Sequence, residues 1–301
     1  MAAVTAPRFS AVVVVRDEEA FIRPCLERLQ WCDERILVDM QSTDRTRERA
    51  ASLVTAIIDQ PLISHMEFAR NRGIDAATGD WILIVDADEL VPELLVDRLR
   101  AQIASDPAVA GVWLPRMNHC FGRRLPHIGG FPDYQLRCFR RGAGRYPDRL
   151  HSAPDIDGRT VLLPIEDGAW LVHGRAGLTI GDLVRKWDVY AEKEARAHVQ
   201  QGGRFAGPAA MLWAALSAFR FRFFTLKGYR DGMAGLMLSV LFAFYRLEVE
   251  AKAWEEEGYG PGPDAEISRW SSAPRLLWAV VRHAGGRLWR RAGASGNKEP
   301  R

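Results

Sequence analysis

The stretch WILIVDADE, residues 81–89, decides the fold of this chain. Its five leading residues are apolar and mostly β-branched or aromatic, which is typical of a strand buried on both faces of a sheet. Three carboxylates follow, and the carboxyl ends of strands in an open α/β sheet line the ligand crevice. Asp86 and Asp88 point the same way in an extended chain, so a cation between them would relieve their repulsion. Such oxygen ligands suit Mg²⁺ or Mn²⁺. Alternatively, Asp88 and Glu89 could be the acidic residues that precede the helix beginning near Pro92.

Strand and helix patterns alternate on the amino-terminal side of this stretch. Runs of β-branched residues predict strands at 9–15, 35–39 and 54–58, with amphipathic helices after each. This alternation predicts an α/β fold with a mainly parallel sheet flanked by helices. From Val112 onward, short apolar runs separated by loops rich in Gly, Pro, Arg and His predict additional mixed or antiparallel strands.

The carboxyl-terminal third has a different character. Helices are predicted at 183–199, 208–224 and 233–245, and the last two are apolar almost all round. The uninterrupted apolar part of each is shorter than the roughly 20 residues that a membrane-spanning helix needs. We therefore expect a domain at 1–178, a helical extension at 179–260 and a basic, partly disordered tail at 261–301.

Bulk composition excludes several classes of protein. The 301 residues carry a formal net charge of only +3, which does not predict nucleic acid as a partner. The four cysteines show no paired metal-binding spacing and no disulfide framework, so we expect them to be reduced, mostly buried residues of a cytosolic protein. No signal peptide is visible at the amino terminus.

Polar residues end three successive predicted strands: Arg16-Asp17-Glu18, then Asp39 to Asp44, then Asp86 to Glu89. A crevice lined by acids repels a nucleotide diphosphate unless a metal ion and basic groups reverse the local charge. The basic residues available for this are Arg70, Arg72, Arg137, Arg140 and Arg141.

Four sequence blocks resemble the family 2 glycosyltransferases, inverting enzymes with the GT-A fold. They are VVVVRDEE at 12–19, VDMQSTDRT at 38–46, RNRG at 70–73, and ATGDW through DADE at 77–89. The order and spacing of the blocks are those of the family. Later landmarks are similar to the branch that includes lipopolysaccharide core glycosyltransferases, namely PDYQLRCFR at 132–140, His151, His173 and GYRDG at 228–232.

The resemblance implies a sugar transfer from a nucleotide-sugar donor, a UDP-sugar, to a hydroxyl of a glycan or lipid-linked acceptor. Residues 1–110 would then bind the nucleotide sugar and 111–178 the acceptor. The implied donor-binding residues are Asp17, Glu18, Asp39, Ser42, Asp44, Arg70, Asn71 and Asp86. The implied metal ligands are Asp86, Asp88 and His173, for Mg²⁺ or Mn²⁺. Asp133 is the implied base that deprotonates the acceptor.

Alternatives accompany these assignments. His173 could be a hydrogen-bonded histidine at a strand end, and Asp133 could be a turn residue after Pro132. The chain departs from the family pattern at Met40-Gln41 and at Ser152, where many members carry acids. Competing functions are a nucleotidyltransferase and a non-catalytic, membrane-associated scaffold. The first strand lacks the Gly-rich loop of nucleotidyltransferases and the G-x-G-x-x-G of Rossmann dehydrogenases.

Residues 219–224, FRFRFF, alternate aromatic side chains with arginines, a composition suited to a lipid headgroup layer. With the basic residues at 269–301, they predict peripheral attachment to an anionic membrane on the cytoplasmic face. The same apolar helices could instead pack as core or form a homo-oligomer interface.

Overall fold

The computed structural model describes residues 6–62, 66–147, 153–174 and 179–260, together with Ile267 and Arg282. His151, Ser152 and most of the predicted basic tail lie outside the described residues. The chain divides into two compact units, Met1–Ala176 and Gly177–Arg301.

The first unit is an α/β domain. Its first half contains, in chain order, β1 (Phe9–Val15), α1 (Ile22–Glu27), β2 (Glu34–Asp39), α2 (Thr46–Ala50), β3 (Ala56–Asp59), α3 (Met66–Ala76), β4 (Trp81–Asp86), β5 (Glu89–Leu90) and α4 (Glu93–Ser105). Its second half contains β6 (Val109–Leu114), β7 (Arg116–Cys120), β8 (Arg123–Arg124), β9 (Gln135–Arg140), β10 (Gly144–Arg145), β11 (Asp155–Ile156), β12 (Arg159–Leu162) and β13 (Leu171–His173).

The largest described sheet has the strand order β12-β6-β9-β4-β1-β2-β3. Strands β4, β1, β2 and β3 run parallel, whereas β9 runs antiparallel to both β4 and β6. A smaller sheet, β5-β13-β7-β8, contains the strand that ends at His173. The predicted mixed, mainly parallel sheet is therefore confirmed.

Burial explains why β1 and β4 read as unbroken apolar runs. All seven residues of β1 and the first five of β4 are buried. Alternate side chains enter two separate cores, one on each face of the sheet, so both faces must be apolar. Cys25, Cys32 and Cys138 are buried free thiols, as expected, and Cys120 is a half-buried one.

The described part of the second unit contains helices α5 (Ile180–Gln200), α6 (Pro208–Arg220) and α7 (Gly232–Glu256), with a π-helical turn at Phe221–Thr225 and a 3₁₀ turn at Gly228–Asp231. Helix α5 begins earlier than predicted because Thr179 and Asp182 form a capping box. The predicted helix at 208–224 ends at Arg220, where the π-helical turn begins.

Helix α7 extends well past the predicted end at residue 245. Its charged second half is stabilised by partners on α5: Arg246 pairs with Glu194, and Lys252 lies 2.6 Å from Asp188. The segment Gly228–Glu256 is long and apolar enough, by length and composition alone, to be a candidate membrane span. The hydrophobic pattern of the sequence therefore indicated only the apolar first half of α7 and not its charged second half.

Candidate functional site

The polar ends of the three parallel strands lie side by side, as the sequence predicts. In the register of the sheet, Val14 of β1 pairs with Asp86 of β4, and Val15 pairs with Asp39 of β2. The loops that follow β1 and β2 contain non-glycine residues with left-handed backbone angles, Asp17 (φ 54°) and Gln41 (φ 58°). Non-glycine residues with left-handed backbone angles are uncommon, and they cluster at functional sites.

Asp86 is held by two arginines, the buried Arg137 and the partly buried Arg70. Its Oδ1 accepts a 2.6 Å hydrogen bond from Arg70, and its Oδ2 accepts one from Arg137. Burial alone would raise the pKa of Asp86, but the two guanidinium groups lower it far below its ordinary value. The carboxylate of Asp86 is therefore committed to an internal ion-pair cluster.

Glu89 extends this cluster beneath the site. It is fully buried, and its Oε1 accepts hydrogen bonds from Arg137 at 2.9 Å and from Arg116 at 3.1 Å. Its Oε2 accepts the backbone N–H of Asp86 at 3.0 Å. Glu89 thus fixes the backbone at the end of β4. It also orients Arg137 and Arg116, which donate hydrogen bonds to the carboxylates of Asp86 and Asp133 respectively.

Asp133 lies at the other side of Arg116. Its Oδ2 accepts two hydrogen bonds from Arg116, at 2.6 and 2.9 Å, and a third from Asn118 at 3.3 Å. Its Oδ1 accepts one, from Gln135 at 2.8 Å. The side chain is about a quarter exposed, at 28%. Because a carboxylate offers about four acceptor positions, Oδ1 is the oxygen with capacity for a further proton donor.

Asn118 connects Asp133 to His173. Its amide N–H groups donate to the carbonyl of Gly129 at 2.6 Å and to Asp133, and both of these partners can only accept. Its Oδ1 therefore faces Nδ1 of His173, 2.5 Å away, and Nδ1 must carry the proton. The lone pair of His173 is consequently on Nε2.

Nε2 of His173 faces Asp88. The strand pairing of β13 with β5 places His173 opposite Glu89, and the N–H of Gly174 donates to the carbonyl of Asp88 at 3.1 Å. Nε2 and the Asp88 carboxylate are 3.8 Å apart. Burial lowers the pKa of His173, against the opposing effect of Asp88. A neutral imidazole lone pair thus faces a carboxylate oxygen across a short gap.

The loops after β1 and β2 are joined by their own polar groups. Asp17 accepts the N–H of Thr43 at 2.7 Å, and Ser42 Oγ accepts the N–H of Asp17 at 3.1 Å. Asp44 accepts the N–H of Glu19 at 3.0 Å and that of Thr46 at 2.9 Å, and the N–H of Glu18 donates to Thr46. These residues shape the two loops, and any contact they make with a nucleotide stays a prediction.

Asp39 and Asn71 are the two most enclosed of the predicted donor-binding residues. Asp39 is 1% exposed and accepts hydrogen bonds from the N–H of Ser42 at 3.2 Å and from Arg47 at 3.0 Å. The side-chain amide of Asn71 exchanges two 3.0 Å hydrogen bonds with the backbone of Tyr146. Asn71 thereby positions the Tyr146 ring, over which the guanidinium of Arg70 lies at 5.1 Å.

Sequence reasoning missed four parts of this site and misjudged two. The sequence did not indicate Arg116 or Asn118, and Gln135 and Glu89 lie in the quoted motifs without an assigned role. The sequence signal that could have indicated Arg116 and Asn118 is their alternation, because residues two positions apart on a strand lie on the same face. Arg140 and Arg141 do not reach the acids: they bond the carbonyls of Val109, Pro107 and Gly79 at the opposite end of β4.

Comparison with known proteins agrees with this architecture. Residues 10–153 match the family described as "Glycosyl transferase family 2". The chain carries a family 2 glycosyltransferase domain. Its mixed sheet, with parallel strands ending at the acidic rim, is the GT-A fold that the resemblance implied, and the flanking helical unit follows it in the sequence.

Two curated relatives match this glycosyltransferase over most of its length. The "Lipopolysaccharide core biosynthesis glycosyltransferase LpsC" of Rhizobium meliloti is 24% identical, over 85% of this chain and 96% of the relative. An uncharacterized glycosyltransferase of Rickettsia typhi is 26% identical, over 82% of this chain and 87% of the relative.

Among solved structures, the glucosyl-3-phosphoglycerate synthase of Mycobacterium tuberculosis, crystallised with Mn²⁺, UDP and glucosyl-3-phosphoglycerate, matches at 24% identity with a TM-score of 0.32. The match covers 38% of this chain and 44% of that one.

Proposed function

We propose that this glycosyltransferase moves a sugar from a UDP-sugar to a hydroxyl of a glycan or lipid-linked acceptor, with inversion at the anomeric carbon and with a divalent metal ion. The acceptor class we propose is a cell-envelope glycan such as lipopolysaccharide core, in line with the name of the relative LpsC. One observation carries the proposal: the Asp88 and His173 pair lies one side chain, Asn118, away from the carboxylate of Asp133.

The chemistry of the pair fits a divalent cation. Nε2 of His173 and the Asp88 carboxylate are 3.8 Å apart, close enough that both side chains would hold the same divalent cation. The described residues contain no cluster of three or more potential ligands. Two protein ligands suit an ion that also binds substrate phosphates and water.

We assign the metal to Asp88 and His173, and an anchoring role to Asp86. A metal ion held there supplies positive charge for the departing diphosphate. Asp86 was predicted to share the metal, but both of its oxygens already accept hydrogen bonds from arginines. The hydrogen bond from Nδ1 to Asn118 orients the imidazole, as partners of metal-bound histidines ordinarily do.

We infer that the donor's nucleoside lies against the loops after β1 and β2. Asp39 is the buried acid at the end of β2, with Asp17, Glu18, Ser42 and Asp44 in the surrounding loops. The left-handed angles at Asp17 and Gln41 give these loops shapes that regular strands or helices do not provide. Arg70 and Asn71 would support the phosphate side of the pocket through Asp86 and Tyr146.

For the acceptor, we assign Asp133 as the base. Oδ1 of Asp133 would take the proton of the acceptor hydroxyl while the hydroxyl oxygen bonds to the anomeric carbon. The bond from that carbon to the diphosphate oxygen breaks on the opposite face, which inverts the centre. Arg116, Asn118 and Gln135 hold the carboxylate in place throughout.

Replacing Asp133 with Asn should separate acceptor activation from donor binding. We expect Asp133→Asn to lower transfer by about 10²- to 10⁴-fold, the usual contribution of a general base, and to change the donor dissociation constant by less than about twofold. Steady-state kinetics and donor calorimetry measure the two quantities. A collapse of donor affinity would place Asp133 in the nucleotide pocket and move the search for a base to Asp155 or to Asp148, which lies outside the described residues.

A donor screen tests the proposed activity itself. Purified protein with Mn²⁺ should be stabilised against heat by UDP-sugars more than by GDP- or dTDP-sugars, and should release UDP from the best donor in a metal-dependent reaction. Release of pyrophosphate from a nucleoside triphosphate and a sugar phosphate would support the nucleotidyltransferase alternative. Donor binding without any turnover, in the presence of envelope glycolipid extracts, would support the non-catalytic scaffold.

The proposed location is the cytoplasmic face of the cell membrane. A water-soluble nucleotide sugar and a lipid-linked acceptor meet only at a membrane surface, so attachment there would be useful. The buried free thiols of Cys25, Cys32 and Cys138 suit a reducing compartment.

A further inference from the structure

The second unit exposes several apolar side chains between the end of α6 and the middle of α7. Phe221 and Phe224 on the π-helical turn are 53% and 58% exposed, and Tyr229 on the 3₁₀ turn is 49% exposed. Met233, Val240 and Phe244 are 65%, 46% and 53% exposed, and their spacing of seven and four residues places them along one side of α7. We call these six residues, with the cations named below, the aromatic–basic face.

Ring contacts hold this face together. Phe223 lies between Phe219 and Phe224, with centroids 5.2 and 5.1 Å away, and it also contacts Tyr229 at 6.2 Å. The guanidinium of Arg222 lies 3.6 Å from the centre of the Phe242 ring, which connects the π-helical turn to α7. The exposed rings of Phe224 and Tyr229 therefore belong to a packed aromatic cluster.

Four cations accompany these rings: Arg220, Arg222, Lys227 and Arg230. Within the part of the chain that the structure describes, none of them forms an ion pair with a carboxylate. The cations in the second half of α7 behave differently, because Arg246 and Lys252 pair with acids of α5. Among the described residues, these four cations therefore lack the ion pairs that Arg246 and Lys252 make, and they lie in the segment where the apolar side chains are exposed.

Arg222 is the most informative of the four. It is half-buried, its guanidinium lies on the ring of Phe242, and burial lowers its pKa. A desolvated cation without a carboxylate has a strong requirement for an anion. Lipid phosphates beside acyl chains provide both an anion and an apolar surface.

We propose that the aromatic–basic face lies in the headgroup layer of an anionic membrane, with its rings at the acyl boundary and its arginines on lipid phosphates. The positive charge of this face favours an anionic membrane as its partner over a second copy of the chain. A two-fold symmetric contact would bring the same unpaired cations against each other, which is unfavourable.

The length of the apolar part of α7 favours a helix that lies in the headgroup layer over one that crosses the membrane. From Gly232 to Tyr245 the helix is free of charged residues, and those 14 residues span about 21 Å, against a hydrocarbon core of about 30 Å. The remaining turns of α7 carry the charges paired with α5. The sequence predicted membrane attachment through the apolar stretches 211–224 and 233–245 and the basic residues at 269–301, most of which lie outside the described residues. The proposal does not depend on which sugar is transferred.

Vesicle co-sedimentation of the full chain tests the proposal. We expect binding to phosphatidylcholine vesicles that contain about 30% phosphatidylglycerol, little binding to pure phosphatidylcholine, and a loss of at least about tenfold between about 50 and 500 mM NaCl. The double variants Phe221→Ser/Phe224→Ser and Arg220→Gln/Arg230→Gln should each weaken binding by at least about fivefold.

Matched controls come from the first unit. Leu162 and Ile165 are exposed to a similar degree, 57% and 51%, so Leu162→Ser/Ile165→Ser should leave vesicle binding unchanged. Arg23→Gln/Arg28→Gln removes the same charge from exposed positions elsewhere and should have little effect. Every variant should keep its melting temperature and its binding of the donor that the screen identifies, which separates this test from that of the catalytic site.

Three results would overturn the proposal. Wild-type protein could ignore anionic vesicles at low salt. Protein bound to vesicles could resist extraction with alkaline carbonate, which would make α7 a membrane span. In the absence of lipid, the chain could form a dimer that Phe221→Ser/Phe224→Ser abolishes, which would make a second copy the occupant of this face.

Discussion

Asp88→Asn should abolish most of the turnover while leaving the fold intact. The change removes the only ionised ligand that we assign to the metal, and loss of several kcal/mol of charge stabilisation corresponds to a fall of about 10²- to 10³-fold in the catalytic rate constant. The substitution leaves the bonds from Arg70 to Asp86 and from Arg137 to Glu89 in place. Mn²⁺ affinity by calorimetry, the melting temperature and the rate of UDP release are the three measurements.

Asp86→Asn is the matched comparison. It removes the same charge two residues away, but it leaves Arg70 and Arg137 buried beside a neutral amide, so it should lower the melting temperature more than Asp88→Asn does. Removing metal from the wild type with a chelator should reproduce the Asp88→Asn defect. Near-normal turnover of Asp88→Asn with unchanged metal dependence would refute the assignment.

Arg137→Met should be the most destabilising single substitution in the site. Arg137 is 4% exposed and bonds both Asp86 and Glu89. Burial alone would lower its pKa, but these two acids raise it well above its ordinary value. Removing one partner from a buried charge cluster costs about 3–5 kcal/mol of unfolding free energy, because the remaining charges are left uncompensated.

Urea denaturation measures this loss, with Arg145→Met as the control. Arg145 also pairs with an aspartate, Asp75, but both side chains are more than half exposed, so its removal should cost at most about 1 kcal/mol.

The pKa of Asp86 is lowered in the folded protein. The contribution of ionised Asp86 to the free energy of unfolding is therefore complete above the unfolded pKa of about 3.9, and it is lost only in stronger acid. The difference between wild type and Arg137→Met should therefore be constant from about pH 6 to 9. A loss no larger than that of Arg145→Met would show that the cluster does not stabilise the fold.

Local sequence pattern was sufficient for much of the first unit. A strand buried on both faces needs apolar side chains at every position, so β1 and β4 could be read directly from residues 9–15 and 81–86. The parallel order of β4, β1 and β2 then brings their polar ends to one rim, which makes Asp39, Asp86 and Asp88 candidates on the sequence alone.

Local pattern was less informative in the second unit. The boundaries of α5 and α7 depend on a capping box and on ion pairs between helices, not on hydrophobic periodicity. Periodicity therefore located these helices but placed their ends several residues from the observed positions.

By itself, the sequence determined the fold class, the acidic rim and the nature of the charges at the site, because these follow from residue type and short-range spacing. Only the tertiary structure decided what each acid does. Arg137 reaches Asp86 across 51 positions of the chain, and Asn118 reaches His173 across 55. Ion pairs and hydrogen bonds of this range depend on which strands become neighbours. The structure therefore commits Asp86 to arginines and turns the lone pair of His173 toward Asp88. Asp86 ends β4, whereas Asp88 lies in the turn between β4 and β5 and not on the extended strand that the sequence suggested, so the spacing of the two aspartates does not reveal their different roles.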